Sequence, residues 1–167
     1  MKKICLILLS IINVIFFLFA CSNGNYIQSA LEICEDINIY TRVAISEEDI
    51  IIKEQYRGNY GFSHGHPPVY YILVFEEQPF DILSKYDFHK ISKEDEKIIS
   101  DLIISENEKY KMGIPIESFV NWNCPYLFCD KVYIDESKTQ FISGFYFIYY
   151  TDTNEMIYFM GGDWYEQ

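Results

Sequence analysis

Residues 141–150 read Phe-Ile-Ser-Gly-Phe-Tyr-Phe-Ile-Tyr-Tyr, and this stretch decides how the rest of the chain must pack. Successive side chains of a strand point to opposite faces of its sheet. The stretch therefore presents two sets of side chains, Phe141, Phe145, Phe147 and Tyr149 on one face and Ile142, Tyr146, Ile148 and Tyr150 on the other. Both sets are apolar or aromatic, whereas a sheet with one solvated face carries polar residues there. We expect both faces to be covered, the second by the N-terminal segment with its helix, by the loop 57–68 or by another protein.

Further strands are predicted on both sides of this stretch. Residues 126–134 and 156–160 are rich in aromatic and β-branched side chains, and turn residues at 135–138 and 151–154 connect them to it. Connections this short predict an antiparallel meander. Upstream, the compact apolar run 69–76 predicts another strand.

The clearest helix signal spans residues 92–111. Ser92 and Asp95 form a capping-box pattern at its start. Lys109 and Lys111 lie near its end, where cations suit the helix dipole.

In the N-terminal part of the chain, the spacing of apolar side chains changes from a helical to a strand period. Residues 26–36 carry apolar side chains at three- and four-residue steps, which predicts a short helix. Residues 37–45 then alternate apolar and polar side chains, which predicts a half-buried strand. A second strand over 50–56 would complete a hairpin, and the glycines and prolines of 57–68 predict an irregular loop.

These elements together predict one α+β domain over residues 26–167: a mostly antiparallel sheet of five or six strands with two helices packed on one face. The composition is 50% hydrophobic and 18% aromatic, which argues against disorder. Without its first 20 residues the chain keeps 147 of 167, enough for one substantial core.

The first residues of the chain are organised as an export signal. Lys2 and Lys3 form a positive head, an apolar run covers 4–20, and Leu18-Phe19-Ala20-Cys21 ends the segment. This order is typical of a signal peptide. Its ending resembles the lipobox of bacterial lipoproteins, which implies cleavage before Cys21 and lipid on the sulfur of Cys21. We therefore expect a signal peptide over 1–20 and a lipidated tether over 21–25.

The resemblance also implies a location in the bacterial cell envelope, on the periplasmic or surface side of a membrane. Ser22 after the lipidated cysteine is compatible with sorting to the outer membrane. The short tether predicts that the domain lies close to the bilayer.

The net charge restricts the classes of partner that the chain can bind. The chain carries 13 basic and 25 acidic residues, and loss of Lys2 and Lys3 with the signal changes the net charge from −12 to −14. Such a chain repels nucleic acid and anionic lipid and attracts basic proteins, peptides or metal cations. The simpler interpretation is a solvated acidic surface.

Few residues carry patterns typical of catalysis or metal binding. His64 and His66 flank Gly65 in the loop 57–68, and two such imidazoles can converge on one cation. A Cys–His pair with Cys124 or Cys129 is conceivable, but no nucleophile-elbow, zinc-protease or phosphate-loop motif is present in the sequence. The sequence predicts no cofactor, and a metal site at His64 and His66 remains the weaker alternative.

Three cysteines remain once Cys21 is lipidated: Cys34, Cys124 and Cys129. Export permits disulfides. Three free thiols, a Cys124–Cys129 bridge at a turn, or a bridge from Cys34 are all compatible with the sequence.

Two functions follow. The first is a membrane-anchored, non-catalytic module that binds a protein or peptide through exposed aromatics, the candidates being Tyr146, Tyr150, Tyr158 and Trp164. The second is a small extracytoplasmic hydrolase or metal-dependent enzyme built on the loop of His64 and His66.

Overall fold

The computed structural model describes residues 27–41, 45–58, 67–133, 141–142 and 144–161. Its helices are α1 (Ala30–Thr41), α2 (Phe80–Lys85) and α3 (Lys93–Tyr110), with a 3₁₀ turn at Ile116–Ser118. Its strands are β1 (Ile50–Arg57), β2 (Val69–Phe75), β3 (Tyr126–Cys129), β4 (Val132–Tyr133), β5 (Phe141–Ile142), β6 (Phe145–Tyr150) and β7 (Glu155–Met160). No helix of the described part is both long and apolar enough to cross a bilayer.

Five strands form one antiparallel sheet in the order β1-β2-β7-β6-β3, and β4 pairs with β5 apart from it. The hairpin of β6 and β7 pairs Tyr150 with Glu155, and β3 runs antiparallel along the other side of β6. The α+β class, the five-stranded antiparallel sheet and the C-terminal meander predicted from the sequence are confirmed.

One face of the sheet, here the α1 face, packs against α1 and α2. The odd-numbered residues of β2 point to it, and Ile33, Cys34 and Ile37 of α1 lie in the same buried cluster. Ile82 of α2 joins this cluster. Cys34 and Cys129 are both buried on this face, and none of the three described cysteines is in a disulfide.

The other face, here the α3 face, packs against α3 and the segment that follows it. Tyr70 and Ile72 of β2 share a second buried cluster with Ile99 and Ile103 of α3. The prediction that both helices pack on one face is therefore wrong. Because β6 and β2 are apolar on both faces, the sheet needs a helix on each side, and the chain supplies α3 for the face that we expected other segments to cover.

Helix α1 extends to Thr41, so the predicted strand over 37–45 and its hairpin with β1 are wrong for residues 37–41. The alternation of Ile37, Ile39 and Thr41 is compatible with either structure over so few residues. Helical spacing places Ile33 and Ile37 on the same side of α1, and both are fully buried against the sheet. Tertiary burial thus outweighs the β-branched preference for strand.

The capping box predicted for α3 is present. The side chain of Ser92 accepts a hydrogen bond from the backbone N–H of Asp95, and the side chain of Asp95 accepts one from the backbone N–H of Ser92. The helix ends at Tyr110, and Lys111 follows in the left-handed conformation with φ 52°.

The stretch 141–150 is divided into β5 and β6 rather than continuous. Gly144 has φ +84°, a conformation outside the extended region that glycine adopts without steric cost. Its carbonyl accepts a hydrogen bond from the Gly161 N–H, which ties the start of β6 to the end of β7. The sequence patterns did not predict the short helix α2.

Candidate functional site

Two concave regions lie at the same end of the sheet, on opposite faces. The first, here the acidic groove, has a volume of about 360 Å³ and lies where β2 leads into α2. Its rim carries five carboxylates, Glu48, Asp49, Glu76, Glu77 and Asp81. The described rim offers no basic side chain and few other donors, which is the composition of a solvated acidic turn.

The second region, here the cleft, has a volume of about 310 Å³ and opens on the α3 face. Its walls come from β1, the Ile116–Ser118 turn with the residues after it, and the turn between β6 and β7. Ile72 and Ile157, neighbours across the β2–β7 pairing, supply an apolar floor together with Phe119. The cleft thus combines apolar surface with polar groups of several kinds, as small-molecule sites do.

Tyr150 joins the floor of the cleft to its wall. Its ring is buried on the α3 face, and its hydroxyl accepts a hydrogen bond of 2.7 Å from the backbone N–H of Asn121. The hydroxyl proton remains available to a bound acceptor. Burial, with the nearby Cys124 and Glu155, raises the pKa of Tyr150 to about 12, so the phenol keeps this proton at neutral pH.

Cys124 is an exposed thiol on the same wall. The side-chain amide of Asn121 donates to its sulfur at 3.2 Å, and the backbone N–H of Cys124 donates to the Asn121 carbonyl. This small loop holds the thiol at the mouth of the cleft. The described contacts of the sulfur include an amide but no histidine, so they do not form the nucleophile–base pair that thiol catalysis uses.

The opposite wall is charged. Lys53 of β1 and Glu155 of β7 form an ion pair of 2.7 Å. Glu54 accepts a hydrogen bond of 2.9 Å from the Tyr56 hydroxyl. Glu117 and Asp152 complete the rim. The lining therefore carries four carboxylates and one ammonium group, and its potential is negative.

The residues predicted as sites do not converge in the cleft. Tyr150 lines it, but Tyr158 is buried on the α1 face, and Tyr146 is half-buried on the α3 face, stacked on Phe159 with ring centroids 5.8 Å apart. Trp164 lies outside the described residues. The three described tyrosines do not form an exposed patch, so the aromatic-surface hypothesis is wrong for them. Alternation alone did not reveal that a helix covers each face.

Cys21, His64 and His66 also lie outside the described residues, so the structure does not test the lipidation site or the histidine loop. His89 is exposed, and its ring packs edge-on against Phe128. Across the described residues, no group of three or more His, Cys, Asp or Glu is arranged to hold a metal ion.

Sequence reasoning missed Lys53, Glu117 and Asn121 as cleft residues. They lie on two segments that are distant in the chain, β1 and the 111–124 segment, and only the folding of the 111–124 segment over the sheet brings them together. The one local signal was the cluster of polar residues and Cys124 between α3 and β3, which is typical of a loop that carries function.

No family model, no curated protein and no solved structure matches this chain.

Proposed function

We propose that this protein is a lipid-anchored binding protein of the bacterial cell envelope, held to a membrane through Cys21 and binding its ligand in the cleft. The lipid anchor is inferred from the order of residues that leads to Cys21: two lysines, an apolar run and Leu18-Phe19-Ala20-Cys21. Two or more acyl chains on one residue hold a protein stably, whereas a single chain gives only reversible attachment.

The cleft supports binding rather than catalysis. Its volume of about 310 Å³ is at the lower end of small-molecule sites. The floor of Ile72, Ile157 and Phe119 suits a compact apolar group. The hydroxyl oxygen of Tyr150 accepts one hydrogen bond from the Asn121 N–H and has a second lone pair, which can accept a hydrogen bond from a polar N–H of the same ligand.

The charge of the rim selects the ligand class. Four carboxylates surround one ammonium group, and Lys53 is already paired with Glu155. Glu117 is exposed and faces solvent at the mouth. We infer that the ligand is a small organic cation, such as an amine with an apolar body, or a basic side chain of a peptide. An anionic ligand would be repelled by the rim and by the net charge of the whole chain.

The anchor is tested by Cys21→Ala in the producing bacterium. We expect loss of fatty-acid labelling and a shift of the protein from the detergent phase to the aqueous phase. Cys124→Ala is the matched control, because it removes an exposed thiol of the domain and leaves the signal intact. Equal partitioning of Cys21→Ala and the unmodified protein would refute the anchor.

The cleft is tested by calorimetric titration of the lipoprotein in detergent with phenethylamine and with its anionic counterpart phenylacetate. We expect the amine alone to bind, and its affinity to fall with salt. Glu117→Gln should weaken the binding several-fold, whereas Glu108→Gln, an exposed acid of α3 outside the cleft, should not. Binding of both compounds with equal affinity, or of neither, would contradict the assignment.

A further inference from the structure

Exposed aliphatic side chains are concentrated at the start of the domain. Ile27 is 75% exposed, Leu31 48% and Ile39 70%. The other large apolar side chains exposed among the described residues are spread over the rest of the fold: Ile51, Phe80, Ile98, Ile104 and Ile116. Single exposed apolar residues are ordinary, but three within thirteen residues form a surface that needs an explanation. We call Ile27, Leu31 and Ile39 the anchor-side stripe.

The two residues of the stripe that lie in α1, Leu31 and Ile39, point away from the sheet. Leu31 and Ile39 are eight residues apart, which places them about 12 Å apart along α1 and about 80° apart around it. Ile33 and Ile37 occupy the other side of the helix, where they are fully buried on the α1 face. Helix α1 therefore has one apolar side in the core and a second apolar strip in solvent.

The length of the tether restricts what can cover this strip. Only residues 22–26 separate Cys21 from Ile27. Six residue steps span at most about 22 Å when fully extended. If Cys21 carries lipid, Ile27 cannot lie farther than this from the surface of the membrane. A bilayer is then the nearest apolar partner available to the stripe.

We propose that the anchor-side stripe rests on the bilayer surface and fixes the orientation of the domain; this inference depends on the lipidation of Cys21 proposed above. The partner is a zwitterionic lipid surface, because the mature chain carries a net charge of −14, from 11 basic and 25 acidic residues, and anionic lipid would repel it.

The charges of α1 set the depth of the contact. Glu35 is exposed between Leu31 and Ile39, one turn from each. Glu32 accepts hydrogen bonds from the backbone N–H and the hydroxyl of Ser29, so it is held at the first turn of the helix. A carboxylate within the stripe keeps the helix at the level of the headgroups, where ethanolamine ammonium groups can pair with it. The helix lies on the interface and does not penetrate the hydrocarbon.

This orientation has a consequence for the ligand site. Helix α1 packs on one face of the sheet, and the cleft opens on the α3 face, which is the opposite one. With the stripe on the membrane, the sheet lies between the bilayer and the cleft. The cleft therefore opens away from the lipid, toward the aqueous compartment and its solutes.

The test uses the full lipidated protein, with Cys124→Ser to remove its exposed thiol, reconstituted in phosphatidylcholine–phosphatidylethanolamine vesicles. A bimane label is placed at Ile39→Cys or at Ile116→Cys, which is 83% exposed in the loop that walls the cleft. We expect quenching by nitroxide-labelled lipid to be at least three-fold greater at the first position than at the second. Equal quenching at the two positions would overturn the inference.

A second pair of variants separates apolar contact from simple tethering. With the label at Ile27→Cys, Leu31→Asp/Ile39→Asp should reduce quenching by lipid to near the Ile116→Cys level. Ile98→Asp/Ile104→Asp adds the same charge on the exposed side of α3 and should leave it unchanged. Unchanged quenching in the first double variant would show that the tether alone holds α1 near the membrane, which contradicts the proposal.

Sedimentation of the same vesicles distinguishes the two proposals. If the protein fails to sediment with them, the anchor at Cys21 is refuted and the orientation with it. If the protein sediments but quenching at Ile39→Cys equals that at Ile116→Cys, the anchor stands and only the orientation fails.

Discussion

The two faces of the central sheet are both apolar, but different kinds of contact join each face to the segments that cover it. On the α1 face, large rings such as Phe147 and Tyr158 pack with thiols, and polar contacts such as the 2.6 Å hydrogen bond from the Tyr71 hydroxyl to Gln28 lie at the helix start. On the α3 face, buried hydroxyls bind directed partners in the covering segments. Tyr126 donates to the Glu96 carboxylate at 2.8 Å, and Tyr70 donates to the Ser118 carbonyl at 2.7 Å.

The α1 face has a concave region too, the acidic groove, but its rim carries carboxylates and, among the described residues, no basic side chain. On the α3 face, directed hydrogen bonds between Tyr70, Ser118, Tyr150 and Asn121 hold the 115–124 segment above the sheet. The space under the edge of that segment is the cleft.

The largest effect is expected for Phe147→Ala on the α1 face. Phe147 is fully buried, so truncation removes its transfer free energy and leaves a cavity, at a cost of about 3–5 kcal/mol. Urea unfolding measures this as a lower midpoint at a similar slope. Phe80→Ala, at an exposed ring of α2, should change stability by no more than about 0.5 kcal/mol. A cost for Phe147→Ala as small as that of Phe80→Ala would show that the α1 face is not closely packed.

The second largest effect on stability is expected when a buried hydroxyl of the α3 face, that of Tyr126, is removed. Burial by itself raises the pKa of Glu96, but hydrogen bonds from Lys93 and Tyr126 outweigh it, and the pKa is lowered from its ordinary 4.5. Tyr126→Phe leaves this carboxylate short of one donor and should cost about 1–3 kcal/mol at pH 7.

The pH dependence follows from the direction of that shift. A carboxyl with a lowered folded-state pKa stabilises the fold above its unfolded value, and this contribution is lost as pH falls through the folded pKa. The cost of Tyr126→Phe should therefore shrink as pH falls below about 4.5, the unperturbed value. Tyr149→Phe on the α1 face is the control, because its hydroxyl donates to the neutral Asn154 side chain. Its cost should stay constant over the same range, and parallel curves for both variants would contradict the role of Glu96.

Each of the two covering helices is followed by a corner, in which an asparagine of the helix bonds the backbone of a later isoleucine. Asn38 in the last turn of α1 bonds both backbone groups of Ile45, at 2.9 and 3.1 Å. Asn107 in α3 bonds both backbone groups of Ile114, at 2.9 and 3.2 Å. Each asparagine is seven residues before a buried isoleucine that returns to the core of its own face. The corners are therefore equivalent although the faces differ.

We expect Asn38→Ala and Asn107→Ala to cost about 1–2 kcal/mol each, since each removes two backbone partners. In thermal unfolding experiments, the two variants should have melting temperatures that are lowered by similar amounts. Asn123→Ala, at an exposed loop position, should leave it unchanged. A large effect at only one of the two corners would show that the equivalence is geometric and not energetic.

The smallest effect on stability is expected at the cysteines. Burial, with Glu47 and Asp49, raises the pKa of Cys34 to about 11, and burial raises that of Cys129 to about 12. Both thiols of the α1 face stay protonated at neutral pH and are shielded from reagents. Cys124, exposed at the cleft, should react with maleimide first, as peptide mapping by mass spectrometry can show, and Cys124→Ser should change stability by less than about 0.5 kcal/mol. Equal labelling of all three would mean that the α1 face opens readily.

Local patterns predicted much of this fold. The capping box of Ser92 and Asp95 predicted the start of α3 to the residue, because a cap depends on groups three positions apart. The alternation in β6 predicted two buried faces, because the period of a strand is a property of its backbone. The cleft was not predictable in this way, since Lys53, Asn121 and Glu155 are distant in the chain and meet only through the sheet order and the packing of the 115–124 segment.

By itself, the sequence determined the antiparallel meander and the need to cover both faces of the sheet, because each depends on residues that are neighbours along the chain. Only the tertiary structure decided that α1 continues through Ile37 to Thr41, that α1 and α3 lie on opposite faces, and that Tyr158 is core while Tyr150 lines a cleft. These outcomes depend on which apolar surfaces meet. Burial against a partner far along the chain contributes more free energy than the weak local preferences that a short segment expresses.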